Sequence, residues 1–269
     1  MVKKLFKHEI YAYLRTILPM HMILIGVAIL GRFVQLFDNN STAYNIVFWS
    51  SVVAFCVGVV ACVLLTLVFG IRRFYTNLFS SEGYLSFTLP VTPSQHIFVK
   101  NTVAVLAQVS SIIMILIATC FITFGDVCVE LFKAGGYLIK LLYKECGYHA
   151  TLFIFEFLIT VIVLVASTYM LFYACIALGQ KAKKNRVAAA VGVYFIYYLI
   201  YQVIGTILII LYNVFYFRWH IDQFLTYLGN HEIFATHLFF GVVAIISILF
   251  GVLYYFITKN TITKKLNLE

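Results

Sequence analysis

The sequence predicts an all-α polytopic membrane protein with six transmembrane helices, and three observations carry that prediction. Of its 269 residues, 63% are hydrophobic and only 11% are charged, whereas soluble domains carry about 25% charged residues. So few charges cannot cover a water-facing surface. Apolar runs recur along the chain, each long enough to cross a bilayer as a helix, for which about 20 residues suffice. Finally, the basic residues alternate in density from one side of these runs to the other. Lipid offers backbone groups no partners, so the runs must be helical.

The spans fall at about 17–37, 46–71, 95–124, 151–179, 188–217 and 235–258 in one transmembrane domain covering 1–269. Of the 19 lysines and arginines, all but Arg32, Lys133, Lys140, Lys144 and Arg218 lie on one side. The acids lean the other way: Asp38, Asp126, Glu130, Glu145, Asp222 and Glu232. Basic residues gather on the cytoplasmic side, so both termini are expected there, and the chain is expected in the cell membrane. On a soluble protein the net charge of +9 would point to nucleic acid. Here it sets topology, and no nucleic-acid partner is expected.

Residues 1–15 place Val2, Leu5, Phe6, Ile10, Tyr13, Leu14 and Ile17 on one helical face and Lys3, Lys4, Lys7, His8, Tyr11 and Arg15 on the other. That period predicts an amphipathic helix lying on the inner membrane surface. No cleavable signal peptide is evident, because no small-residue cleavage site follows the first span. Loop 38–45 reads as a short turn. Loop 125–150 has apolar residues either side of Gly135-Gly136, as two short interfacial helices would. It also carries Cys128 and Cys146, and a disulfide between them is one possibility on an oxidising side. The other four cysteines fall in spans, where thiols behave as small hydrophobes. `KAKKNR` at 181–186 is expected to anchor topology.

The segment between spans 2 and 3 is unlike the rest. Arg72-Arg73 are expected to end span 2. `FYTNLFSSEGYL` then forms a short helix with Phe74, Leu78 and Phe79 on one face, stopping near Gly83. `FTLPV` is extended, because the residue before Pro90 avoids helix. `TPSQ` restarts the helix, with Thr92 as cap, Pro93 first and Gln95 closing a capping box. An ordered loop of this kind, over 72–94, suits docking to a soluble protein.

Catalytic signatures are missing. There is no phosphate-cradling GxxxxGK[ST], no HExxH and no CxxC. `HEIFATH` sets His231 and His237 six apart, about 240° around a helix. His21, His149 and His220 read as interfacial. Within the spans stand Glu156, Gln108 and Gln202, with Arg32 near the outer end of span 1. A charge at membrane depth costs about 3 kcal/mol, so it must face protein or water. Glu156 is therefore either on a substrate path or an interhelical hydrogen-bonding group, with Arg32 as a conceivable partner.

The stretch `FYTNLFSSEGYLSFTLPVTPSQHIFVKN` resembles the inner loop of permeases of type-2 ABC transporters from Gram-positive anaerobes. The matching residues are Tyr75, Asn77, Leu78, Phe79, Glu82, Gly83, Tyr84, Leu85, Thr88, Leu89, Pro90 and Lys100. The resemblance implies that Tyr75, Leu78, Phe79, Glu82, Gly83, Tyr84, Leu85, Leu89 and Pro90 form a coupling helix and its flanks, which dock on a cytoplasmic ATPase subunit. It further implies a second permease subunit as partner, homo- or heterodimeric. ATP and magnesium would be bound by the ATPase, with no cofactor in this chain and no reaction of its own. Members often carry re-entrant outer helices between spans 5 and 6; here 218–234 is short, and `DQFLTYL` allows at most one turn. The expected function is export of an amphipathic or hydrophobic substrate. The alternative is a polytopic intramembrane enzyme or its scaffold, which needs a polar cluster joining Glu156 to a His or Asn of another span. A self-contained carrier needs inverted repeats and more midplane ionisable residues; the sequence has neither.

Overall fold

The structure, a computed structural model, describes residues 2–37, 41–88, 90–182, 184–219 and 222–265. Among them the chain forms nine helices and no strand: α1 Val2–Gln35, α2 Thr42–Phe79, α3 Ser81–Thr88, α4 Pro93–Ile122, α5 Asp126–Cys146, α6 His149–Gly179, α7 Arg186–Trp219, α8 Asp222–Asn230 and α9 Glu232–Lys265. Six of them (α1, α2, α4, α6, α7 and α9) are long and apolar enough to cross a membrane. α2, α6, α7 and α9 contain the spans expected at 46–71, 151–179, 188–217 and 235–258, whereas α1 and α4 each end two residues before the expected ends at 37 and 124. At 1.5 Å per residue the 38 residues of α2 reach about 57 Å, well past a ~30 Å hydrocarbon core. The helices form two compact units, Met1–Leu142 and Tyr143–Glu269.

In the first unit α1, α2 and α4 pack pairwise, and α3 rests on α2. The separate surface helix expected over 1–15 is absorbed into α1, which continues unbroken through Pro19. Its buried stripe is Glu9, Tyr13, Ile17, His21, Leu24, Ala28 and Gly31, spaced three or four residues apart as one helix face requires. The expected apolar face was rotated from this stripe: Leu14 is 51% exposed, while Glu9 is buried. Leu24, Ala28, Phe55, Cys62, Ala118 and Ile122 form the apolar core. Beside it, His21 Nε2 lies 3.0 Å from Ser111 Oγ and Thr66 Oγ1 lies 2.8 Å from the same oxygen. His21 is thus an interhelical link of the core, not an interfacial residue. Small hydroxyl side chains let helices approach closely and bond across the gap.

Further corrections concern the loops. α2 does not stop at Arg72-Arg73 but runs to Phe79, because Phe74, Leu78 and Phe79 are buried on its last turns. The short helix follows instead at Ser81–Thr88, and Gly83 sits inside it. The restart is as expected: the Thr92 hydroxyl accepts from Gln95 N, and the Gln95 side chain accepts from Thr92 N at 3.0 Å. The loop before α6 is one helix, α5, continuous through Gly135-Gly136. Cys128 and Cys146 are free thiols and lie near opposite ends of it. Eighteen helical residues separate them by about 27 Å, far beyond the 4.4–6.8 Å Cα spacing of a disulfide.

In the second unit α6 packs on α9 and α7, and α8 touches α9. Two glycines allow close approach. A Cβ on Gly179 would lie 2.6 Å from Ala190 N and 2.7 Å from its Cα, so the end of α6 passes against the backbone of α7. Gly251 leaves room for Ser167, whose hydroxyl donates to Ser247 O at 2.6 Å. Tyr169 and Tyr173 are wholly buried, and the Tyr254 hydroxyl donates to that of Tyr197. The linking helix α8 runs for nine residues, more than the single turn expected there.

Candidate functional site

Among the described residues, charged side chains pair across helices in one place of each unit.

The first lies where α2 gives way to α3. Glu9 of α1 has a side chain 4% exposed and holds two cations at once. Arg73 Nε of α2 donates to its Oε2 at 2.6 Å, and Lys100 Nζ of α4 donates to its Oε1 at 2.7 Å. Lys100 also donates to Asn77 Oδ1 at 3.2 Å. The carboxylate thus ties three helices beneath α3. A buried charge needs such pairing, since an uncompensated ion in a low-dielectric interior costs several kcal/mol. His96, one turn before Lys100, is buried and faces the ring of Phe87 at 6.2 Å. This joins the α3 segment to α4.

The expected docking residues divide on this scaffold. Leu78 and Phe79 are buried, Gly83 is buried within α3, and Tyr75 is half-buried, so these hold the segment in place. Tyr84 is 69% exposed and Pro90 is exposed, so these face outward. Leu89, and the side chains of Glu82 and Leu85, lie outside the described residues. Sequence reading missed Glu9 altogether. It stands among lysines on a helix that reads as a membrane-surface element, and its partners are 64 and 91 residues away. The available signal was one acid on the helix face that carries Tyr13 and Ile17.

The second place is in the unit of α6–α9. Glu156 of α6, its side chain 35% exposed, contacts His237 of α9. His237 Nδ1 lies 2.7 and 2.9 Å from the two carboxylate oxygens. A carboxylate only accepts, so Nδ1 carries a proton and donates. His237 Nε2 lies 2.9 Å from His149 Nδ1, which completes a chain of carboxylate, imidazole and imidazole. Phe153 packs on His237 with centroids 4.5 Å apart, and Tyr148 covers His149 at 4.0 Å. Both histidines line an open cavity of about 590 Å³ with Glu145, His231, Glu232 and Phe234.

Glu156 is therefore paired to His237. Arg32, its conceivable partner, donates to Gln35 Oε1 at 2.8 Å within α1. The other two spans' polar residues are not drawn into this chain. Gln108 is buried in α4 and belongs to the first unit; Gln202 is exposed on α7. His149 is a member of a polar chain rather than a lone interfacial residue, and His220 lies outside the described residues. The 240° separation of His231 and His237 assumed a single helix. His231 instead sits in the turn before α9, which is how both reach one cavity. Among the described residues no three His, Cys, Asp or Glu side chains stand at metal-ligand spacing. Compared with known protein families, curated proteins and solved structures, the chain matches none.

Proposed function

We propose that this chain is the membrane-spanning permease subunit of an ABC exporter, moving an amphipathic or hydrophobic substrate out of the cell. A separate cytoplasmic subunit would bind ATP and magnesium and hydrolyse the nucleotide. The observation that carries the reading is the short helix α3, slung between two long spans, with Tyr84 outward and its roots in a buried ion network. A docking element must transmit force, and a rigid base is what allows it. The ATPase would bind one conformation of the permease better than the other, which is the energetic requirement for driving a switch. With the ATPase on α3, the end of α1 bearing Lys3 and Lys4 faces the cytoplasm, as the basic-residue bias expects. A second permease subunit would complete the pathway and cover part of α7, whose most apolar stretch has no buried residue.

The test is co-purification from the native cell in mild detergent. A stoichiometric soluble chain with a phosphate-binding loop is the expected result. Loss of that partner, or uncoupled ATP hydrolysis, is expected for the Glu82→Lys/Tyr84→Ala variant with insertion intact. Reproducible absence of such a partner from folded wild-type protein overturns the reading.

A second reading is favoured by one observation. An intramembrane enzyme requires Glu156 to meet a His from another span, and His237 of α9 meets it. A loss-of-function scan that strikes Glu156, His237 and His149 while sparing 75–90 selects that reading.

A further inference from the structure

We propose that the apolar slot between α1 and α4, with Lys3 and Lys7 beyond its end, binds an anionic phospholipid of the surrounding bilayer. One acyl chain lies in the slot, and the phosphate meets the two ammonium groups. The inference is independent of the transport reading.

The slot is a cavity of about 360 Å³ within the first unit, a size that holds small ligands. Ile10, Leu14 and Leu18 of α1 and Leu106, Ile113 and Met114 of α4 line it. Among the described residues no lysine, arginine, aspartate or glutamate does so. Its polar side chains are engaged with the protein. His21 Nε2 lies 3.0 Å from Ser111 Oγ, Ser110 donates to Ala107 O at 2.7 Å, and the Tyr13 ring packs edge-on against Phe69. The slot therefore offers a polar ligand little to bond, whereas a hydrocarbon tail gains packing along its length. It is open at its edge, where Leu14, Leu18 and Leu106 are each more than half exposed.

Charge in register with the slot selects the occupant. Lys3 and Lys7 precede Ile10, Leu14 and Leu18 at intervals of three or four residues, so all five stand along one face of an unbroken helix. Both lysines are exposed, and among the described residues neither has an ion-pair partner. Lys4 and Arg15 stand exposed beside this face. Glu9, the only acid of α1, is turned away and held by Arg73 and Lys100. The depth fits as well. From Lys7 to the last residue of α1, Gln35, the helix runs about 42 Å at 1.5 Å per residue, against the ~40–45 Å of a bilayer with its headgroups. With Gln35 in one headgroup layer, Lys7 stands in the other and the slot lies just inside it. Basic side chains above a gap between membrane helices are what anionic headgroups bind.

The experiment is native mass spectrometry of the full chain, delipidated in neutral detergent and titrated with dioleoyl phosphatidylglycerol, with dioleoyl phosphatidylcholine and glycerol phosphate as controls. Phosphatidylglycerol is expected to bind more tightly than phosphatidylcholine, and glycerol phosphate not at all. Lys3→Gln/Lys7→Gln removes no described contact of the fold and is expected to weaken phosphatidylglycerol by about 30-fold, from about fivefold per lysine, while phosphatidylcholine changes little. Ser110→Phe fills the slot and is expected to weaken both lipids. Equal binding of the two lipids in the wild type overturns the proposal. So does phosphatidylglycerol binding that survives unchanged in either variant, because the lipid then sits elsewhere. Displacement of the lipid by glycerol phosphate would reduce the site to a headgroup patch, also against the proposal. Disulfide crosslinking of Leu18→Cys to a second copy in native membranes, above the wild-type level, would assign the slot to that copy and overturn it too.

Discussion

In the first unit three helices meet at Glu9 and again at Ser111; in the second, helices meet where side chains are missing, at Gly179 and Gly251. The first unit joins α1, α2 and α4 through charge and hydroxyls, at 2.6 and 2.7 Å around Glu9 and at 2.8 and 3.0 Å around Ser111. The second lets α6 approach α7 and α9 closely and fills the rest with tyrosine. A third of the most apolar stretch of α4 is buried (33%), but none of that of α7 (0%). The difference teaches that apolarity alone does not hold helices together where the surroundings are equally apolar. Packing and interhelical hydrogen bonds must do so; both units use both, and the first adds a buried ion network while the second adds close approach at glycine.

The comparison breaks most sharply at Glu9. Glu9→Gln leaves Arg73 and Lys100 without their anion, and removing one partner of a buried pair costs about 3–5 kcal/mol. Unfolding of this variant in detergent should show that loss. Hydrogen exchange should speed up in α1, α2 and α4 while α6 and α9 keep their protection. Restoration of most of the stability in Glu9→Gln/Lys100→Met would identify unpaired charge as the cause.

Gly179→Leu is the counterpart in the second unit. Its Cβ has nowhere to go but into the Ala190 backbone, and overpacking of this kind costs about 1–3 kcal/mol. Crosslinking between cysteines placed on α6 and α7 should fall. An unchanged crosslinking yield would show that the close approach does not matter.

Smaller effects sharpen the picture. Thr92→Ala removes the cap of α4 and should cost about 1 kcal/mol, read as faster amide exchange over 94–96 only. Ser111→Ala removes the shared oxygen between His21 and Thr66 and should cost about 0.6 kcal/mol, the average for hydrogen bonds between membrane helices. Steric trapping or unfolding by a denaturing detergent can resolve it. A loss as large as that of Glu9→Gln would mean that the ion network is not the principal lock.

Local chemistry was legible because its partners are neighbours. The Thr92–Gln95 box joins residues three positions apart, and both halves of it are in the structure. The helix after Arg72-Arg73 was misplaced by local reasoning. A new short helix was expected from Phe74, yet α2 continues, with Arg73 turned inward by an acid 64 residues earlier, until Phe79 is buried. The two short helices expected either side of Gly135-Gly136 failed for the opposite reason. The segment is one helix, more continuous than its two glycines imply, since a helical glycine costs only about 1 kcal/mol relative to alanine.

By itself the sequence determined that the chain is helical, that six of its helices are long and apolar enough to cross a bilayer, and where α4 begins. Apolar runs, scarce charge and a three-residue cap are properties of consecutive residues, and backbone that cannot bond to lipid must bond to itself. Only the tertiary structure decided that Glu9 belongs to Arg73 and Lys100, and that Glu156 belongs to His237. Those pairings join residues 64 to 91 positions apart. A carboxylate's choice among distant cations and imidazoles depends on which helix faces pack against each other, and periodicity along one helix does not specify its neighbour.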